Sequence, residues 1–118
     1  MTNGSRWYAL TVRHQHERQT ERALQSKGWE TLVPVYMRRS RWSDRVKDVE
    51  WPLFSGYVLC SFPLSDRIRV VDTPGVAKIV GFGGTPAAVE QREIEEIRLV
   101  VACLRRDQNR KIAAGTVA

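Results

Sequence analysis

The residues best suited to chemistry in this 118-residue chain lie between Arg38 and Lys47. These positions carry five basic residues and one acid, Asp44, and supply +4 of the chain's formal net charge of +6. Clustered Lys and Arg side chains bind phosphates, and an aromatic ring beside them stacks on a nucleobase. The segment therefore predicts a nucleic-acid site, with a solvated hairpin that binds nothing as the alternative. Its candidate contact residues are Arg38, Arg39, Arg41, Trp42, Arg45 and Lys47.

No catalytic or metal-binding pattern accompanies this segment. Cys60 and Cys103 each lie in an apolar run, as small core residues do, and no Cys-x-x-Cys or Cys-His spacing predicts zinc. Neither His14 nor His16 has a nucleophile or a paired carboxylate beside it. The Gly-rich segment 81–84 is followed by Thr85-Pro86 and does not open into a helix, as a nucleotide-binding loop would. We therefore predict no enzyme activity, no cofactor and no metal.

Length and composition indicate one soluble domain. Apolar residues make up 42% and charged residues 27% of the chain, and no run approaches the roughly 20 apolar residues of a membrane helix. The first residues lead into Trp7 without the apolar stretch of a signal peptide. We therefore expect a cytoplasmic monomer with no membrane association.

Hydrophobic patterning and Gly and Pro punctuation predict the elements that position these residues. Their order predicts the α+β class, as a ferredoxin-like βαββαβ sandwich with an inserted basic β-hairpin and an extra C-terminal helix. Strands are expected at Trp7–Val12, Thr31–Met37 (with Pro34 at an edge or bulge), Gly56–Phe62 and Val76–Val80, and the hairpin is expected to turn near Ser43-Asp44 and return through Asp48–Trp51. Helices are expected at His16–Lys27, from a cap at Ser65 or Asp66 to Val71, and at Glu90–Arg105, with a flexible loop at 81–86.

Alternation along the strands assigns the two faces of this sheet. The uniformly apolar sets fit a core covered by helices, and they are Tyr8/Leu10/Val12 and Val58/Cys60/Phe62. The mixed sets fit the opposite face, with Phe54 as a further ring, and they are Trp7/Ala9/Thr11 and Tyr57/Leu59/Ser61. Exposed apolar surface of this kind marks an interaction site. The alternative is that the last helix covers the whole face with its stripe of Ile94, Ile97 and Val101.

Motifs distributed over residues 6 to about 105 resemble the amino-terminal domain of the NusG family. The most specific is Pro52-Leu53-Phe54-Ser55-Gly56-Tyr57-Val58, which is similar to the family's P-L-F-P-G-Y-V signature with Ser55 in place of the second proline. The others are Arg6–Leu10, Gly28–Pro34, and the pair Thr73–Val76 and Val80–Pro86. Their order and loop style also resemble the RfaH-like specialised members of the family.

The resemblance implies a bacterial transcription elongation or antitermination factor. In that family an apolar sheet surface docks on the clamp helices of the largest RNA polymerase subunit, and the domain bridges the DNA cleft to promote processive elongation. Mapped by motif, the docking residues would be Phe54, Tyr57 and Leu59, with Ala9, Thr11 and Trp7 beside them. A contact with the second-largest subunit stays open, because the His-Thr-Thr-Thr motif of RfaH has no counterpart in Asp66–Asp72.

The resemblance also implies DNA near the polar segments. The basic hairpin would lie near upstream DNA and contact its backbone without reading its sequence. Arg13 and His14 correspond in position to the polar patch with which RfaH contacts the non-template strand, and we add them to the candidate DNA-binding residues. A polar helix entry with His16 near the N-cap is the alternative for that patch.

The resemblance further divides the chain. Residues 1–106 would form the polymerase-binding domain, and residues 107–118 resemble a linker that leads to a carboxy-terminal KOW domain. These patterns do not distinguish a general factor from an operon-specific one. They also do not distinguish promotion from suppression of pausing, or show whether DNA is recognised by sequence.

An RNA-recognition motif that binds single-stranded RNA is the main alternative function. It shares the order of strands and helices, and Gly56–Phe62 partly fits its third-strand consensus. Ser55 stands where that consensus has a basic residue, and Leu59 stands where it has an aromatic one. These departures favour the NusG-like hypothesis.

Overall fold

The computed structural model describes residues 4–42 and 45–117, and for residues 40–42 and 105–117 it describes the backbone alone. The chain is of the α+β class, as the sequence predicts. Its strands are β1 Arg6–Val12, β2 Glu30–Leu32, β3 Val35–Trp42, β4 Arg45–Pro52, β5 Tyr57–Phe62, β6 Val76–Ile79, β7 Gly81–Phe82, β8 Thr85–Pro86 and β9 Ala88–Val89. Its helices are α1 Glu17–Ser26, α2 Arg67–Val71 and α3 Gln91–Val117, with a 3₁₀ turn at Leu64–Asp66.

Strand β1 lies at the centre of the main sheet, whose strand order is β2-β5-β1-β6. It pairs antiparallel with β5 on one edge, and with β6 and the short β9 on the other. Strand β5 pairs antiparallel with β2. Because β1 is hydrogen-bonded along both edges, its alternating side chains are held on two opposite faces of the sheet.

One face of the main sheet carries the larger core, as alternation along β1 and β5 predicts. The two apolar sets of these strands pack with Leu24 of α1 and Val70 of α2. The rings of Tyr8 and Phe62 lie 4.8 Å apart between centroids, and the ring of Trp29 lies 6.5 Å from that of Phe62. Burial of each such side chain contributes about 1.5–3 kcal/mol, so this face stabilises the domain.

The first turns of α3 cover part of the opposite face. Ile94 is fully buried in a cluster with Trp7 and Leu59, and Ile97 packs against that cluster. The Arg98 guanidinium lies 5.7 Å from the Trp7 ring centroid and donates to the Glu30 carboxylate at 3.2 Å. The alternative that the last helix covers the whole face is therefore wrong, because its stripe covers only the Trp7 end and Tyr57 stays 43% exposed.

Pro34 separates two strands that the sequence pattern predicts as one. Instead of a single strand at Thr31–Met37, β2 joins the main sheet and β3 pairs with β4 in a separate two-stranded sheet. Proline has no N–H to donate to a strand ladder, and the Pro34 carbonyl accepts a hydrogen bond from the Leu53 N–H at 2.7 Å. The expected basic hairpin is therefore present with longer strands, and its predicted turn at Ser43-Asp44 lies outside the described residues.

Several smaller expectations are wrong. Residues 81–86 are not a plain loop but a short hairpin of β7 and β8, which turns at two glycines with φ of +57° and +80°. The Asp66 side chain makes no capping bond to α2, because its carboxylate accepts a hydrogen bond from Trp29 Nε1 at 3.2 Å. Cys60 is buried as predicted, but Cys103 is exposed.

Helix α3 continues to Val117, past the end predicted at Arg105. The additional residues include good helix formers and no proline, the residue that most strongly interrupts a helix. The domain boundary predicted near residue 106 remains a prediction. No helix within the described ranges has the length and apolarity that a bilayer crossing requires.

Truncating Ile94 tests the packing of α3 on the sheet. We expect Ile94→Ala to lower the free energy of unfolding by about 2–5 kcal/mol, because it leaves a cavity over Trp7 and Leu59. Leu99→Ala is the matched control, since Leu99 is exposed on the same helix, and it should change stability by less than about 0.5 kcal/mol. Equal effects of the two changes in urea unfolding would contradict this packing.

Candidate functional site

The turn Phe54–Tyr57 presents two aromatic rings at the start of β5. The Tyr57 N–H donates to the Phe54 carbonyl at 3.2 Å, which makes these four residues a β-turn with end Cα atoms within about 7 Å. Gly56 has a φ of +83°, as the third position of a type II turn requires. Phe54 and Tyr57 are each 43% exposed. The turn therefore carries a partly exposed aromatic ring at each end.

Additional hydrogen bonds attach this aromatic turn, Phe54–Tyr57, to the body of the domain. The Val12 N–H of β1 donates to the Gly56 carbonyl at 2.9 Å. The Gly56 N–H donates to Oε2 of Glu17, in the first turn of α1, at 2.7 Å. Sequence reasoning missed Glu17, because nothing in the local pattern links it to a turn so distant in the chain.

The strand register places the predicted docking residues on one face. Thr11 lies opposite Tyr57, and Ala9 lies opposite Leu59. Trp7 and Leu59, however, are only 5% and 6% exposed. Because they pack against α3, these two side chains stabilise the domain and offer almost no surface to a partner in this conformation. The accessible part of the face is Tyr57, with Ala9 and Thr11 half-buried beside it, and the partly exposed ring of Phe54 lies in the adjoining turn.

The β3–β4 hairpin divides its basic residues between two faces. Arg38 lies opposite Val49, and alternation along β4 places Lys47 and Arg45 on the same side. Arg39 lies on the other side opposite Asp48, with 3.8 Å between guanidinium and carboxylate. The side chains of Arg41 and Trp42 lie outside the described residues. One face of the hairpin therefore gathers Arg38, Arg45 and Lys47.

Trp51 is an aromatic residue of this same face that sequence reasoning did not select. It lies opposite Tyr36 and is 41% exposed. The guanidinium carbon of Arg38 lies 5.2 Å from the Trp51 ring centroid, a distance at which a cation and a ring attract each other. The sequence pattern places Trp51 on the returning strand of the hairpin, as the structure does, but it does not show that the ring shares a face with Arg38.

A cleft of about 270 Å³ lies between the start of α1 and the β3–β4 hairpin, and His14 is the predicted DNA-contact residue that lines it. His14 and Arg18 line one side, and Glu50 and Trp51 line the other. The Arg18 guanidinium bridges the two sides through a 2.6 Å hydrogen bond to the Glu50 carboxylate, and that bond raises the pKa of Arg18 above its ordinary value. Arg13 is exposed but does not line the cleft.

The Cys60 thiol is buried in the core. Burial raises the pKa of Cys60 to about 12, so the thiol stays protonated and unreactive. Within the described part of the chain, no three His, Cys, Asp or Glu side chains come together in the manner of metal ligands.

The described residues thus form a small α+β domain that carries a partly exposed aromatic turn and a basic hairpin. The family model described as "Transcription termination factor nusG" matches residues 5–98. The chain belongs to the NusG family, as its motifs indicate. A comparison with curated proteins found no match.

Family membership determines the general activity. The NusG family is a family of transcription factors that act in elongation and antitermination, and it is not a class of enzymes. Its members interact with RNA polymerase. The chain is therefore a transcription factor domain.

Replacing Ser55 tests the geometry of the aromatic turn. Proline is favoured at the second position of a type II turn, and it restricts the unfolded chain. We expect Ser55→Pro to raise the free energy of unfolding by about 0.4–1 kcal/mol, measured by urea titration. A clear loss of stability would show that the backbone at Ser55 does not have the φ that this turn type requires.

Proposed function

We propose that this chain is the polymerase-binding domain of a cytoplasmic bacterial elongation or antitermination factor. Its sheet, in this proposal, is the ferredoxin-like arrangement of the family. The face that carries the aromatic turn docks on the clamp helices of the largest RNA polymerase subunit. The domain then bridges the DNA cleft and favours processive elongation. It acts as a monomer and needs no cofactor.

The exposure of the aromatic turn is the observation that carries this proposal. Phe54 and Tyr57 stay 43% exposed, although α3 buries Trp7 and Leu59 on the sheet face that carries Tyr57. Aromatic rings anchored on rigid backbone are common hot spots of protein interfaces, because they bury a large area at a small cost in conformational entropy. Thr11, opposite Tyr57, would extend the contact onto β1.

The basic hairpin supports a second contact, with upstream or non-template DNA. Arg38, Arg45 and Lys47 share one face of the hairpin with Trp51. His14 lines the cleft at the base of that face. Lys and Arg side chains bind phosphates without sequence preference, and an exposed indole stacks on an unpaired base. We propose backbone contacts from this face, with Arg39 contributing less because it pairs with Asp48.

Truncating either ring of the aromatic turn tests the docking surface. We expect Phe54→Ala and Tyr57→Ala each to weaken binding to the isolated clamp-helix coiled coil by about 2 kcal/mol, or roughly 30-fold in Kd. Leu99→Ala is the control, because it removes an exposed apolar side chain from α3 outside the turn. A folded Tyr57→Ala domain that binds as tightly as the parent would exclude this surface.

Single-stranded RNA is the comparison ligand in the same assay. Tight binding of a short RNA in the absence of polymerase, abolished by Tyr57→Ala, would favour the RNA-recognition alternative instead.

Neutralising one face of the hairpin tests the DNA contact. We expect the triple change of Arg38, Arg45 and Lys47 to Gln to reduce the salt dependence of binding to a nucleic-acid scaffold with polymerase. The slope of log K against log salt should fall by up to about 2–3, since each phosphate contact contributes about 0.7–0.9.

The control for this triple change removes the same charge elsewhere. Arg6, Arg22 and Arg92 are exposed and lie outside the hairpin, so changing them to Gln should leave the slope nearly unchanged. An equal fall in slope for both triple variants would attribute the effect to net charge and exclude a DNA-contacting face.

A further inference from the structure

Glu17 is a buried acidic residue that no step above uses. It is 5% exposed and lies in the first turn of α1. Its Oε2 accepts the Gly56 N–H at 2.7 Å. A buried carboxylate is unfavourable unless it is hydrogen-bonded, and the bond from the Gly56 N–H meets that requirement for Oε2.

That bond acts on the residue that gives the aromatic turn its shape. The Gly56 carbonyl accepts from Val12 N–H at 2.9 Å and its N–H donates to Glu17. Both polar groups of the Gly56 backbone are therefore held, one by β1 and one by α1. Each peptide plane next to Gly56 is fixed in orientation, although glycine by itself is the most conformationally free residue.

The rings depend on this glycine for their relative placement. Phe54 and Tyr57 stand at the two ends of the turn, and each side chain is 43% exposed. Ser55 leaves the second position of the turn freer than a proline would. The backbone hydrogen bonds of Gly56 therefore hold the turn in one conformation.

We propose that Glu17 is a positioning residue for the docking surface, which fixes the aromatic turn through a charge-assisted bond to the Gly56 N–H. It touches no partner itself. By holding the turn in one conformation before contact, it removes an ordering cost from binding. This inference rests on the proposed docking function, because its effect is exerted through Phe54 and Tyr57.

The test compares Glu17→Ala, which removes the acceptor, with Glu17→Gln, which keeps an amide oxygen at a similar place. Hydrogen bonds to charged groups correspond to roughly 10-fold or more in an equilibrium constant. We expect Glu17→Ala to bind the clamp-helix coiled coil about 10-fold more weakly than the parent, and Glu17→Gln to recover most of that loss. Amide hydrogen exchange of Gly56 should be faster in Glu17→Ala and largely restored in Glu17→Gln.

Two controls separate positioning from general stability. Glu21 lies on the same helix as Glu17, and its carboxylate pairs with Arg18. Glu21→Ala therefore removes a carboxylate that does not contact the turn. Val70→Ala destabilises the core through α2. Both should leave the affinity and the Gly56 exchange rate close to those of the parent, at a temperature where every variant is folded.

The outcomes are distinguishable from failure of the docking function itself. A parent chain that does not bind the coiled coil would overturn the proposed function and this role together. If the parent binds, the positioning role alone would be overturned by a Glu17→Ala variant that binds as tightly as the parent. It would also be overturned if Glu17→Gln recovered no affinity, or if Val70→Ala bound as weakly as Glu17→Ala.

Discussion

The antiparallel pairing of β1 with β5 is the constraint on which the rest of the structure depends. Its register sets Thr11 opposite Tyr57 and Leu10 opposite Val58. Because side chains alternate along a strand, the same pairing sends one set into the core and the other to the opposite face. A slip by a single residue would move each set of side chains to the opposite face of the sheet. The strand residues beside the aromatic turn would then be buried in the core.

The packing of helix α3 determines how much of the second sheet face stays exposed. Its Ile94 packs against Trp7 and Leu59, and its Arg98 donates a hydrogen bond to the Glu30 carboxylate. The cover ends before the turn at Phe54–Tyr57, which projects from the start of β5. The domain thus combines a helix-covered end with an accessible aromatic end.

Sequence patterns predict those features that depend on local periodicity. The faces of β1 and β5 follow from alternation, and the motif Pro52–Val58 identifies the aromatic turn and the family. Other features depend on tertiary contacts that no local pattern encodes. Whether the Leu59 side chain is exposed or buried depends on where α3 packs. The hydrogen bond between Glu17 and Gly56 joins residues that are 39 positions apart in the chain.

Pro34 illustrates the same limit within one short segment. The pattern around it marks an irregularity, but only the pairing of β2 with β5 and of β3 with β4 shows that the chain changes sheets there. The exposed ring of Trp51 is a related case. Its partner Arg38 lies on the other strand of the hairpin, and sequence order alone does not reveal that neighbourhood.

The most direct measurement of the central claim is a two-dimensional NMR titration of the labelled chain with the clamp-helix coiled coil. Docking through the aromatic turn predicts that the largest shifts occur at the amides of Thr11, Phe54 and Gly56–Tyr57. The Trp7 indole and the exposed side of α3 around Leu99 should change little. Shifts concentrated on α3, with Tyr57 and its neighbours unchanged, would contradict the proposed docking surface.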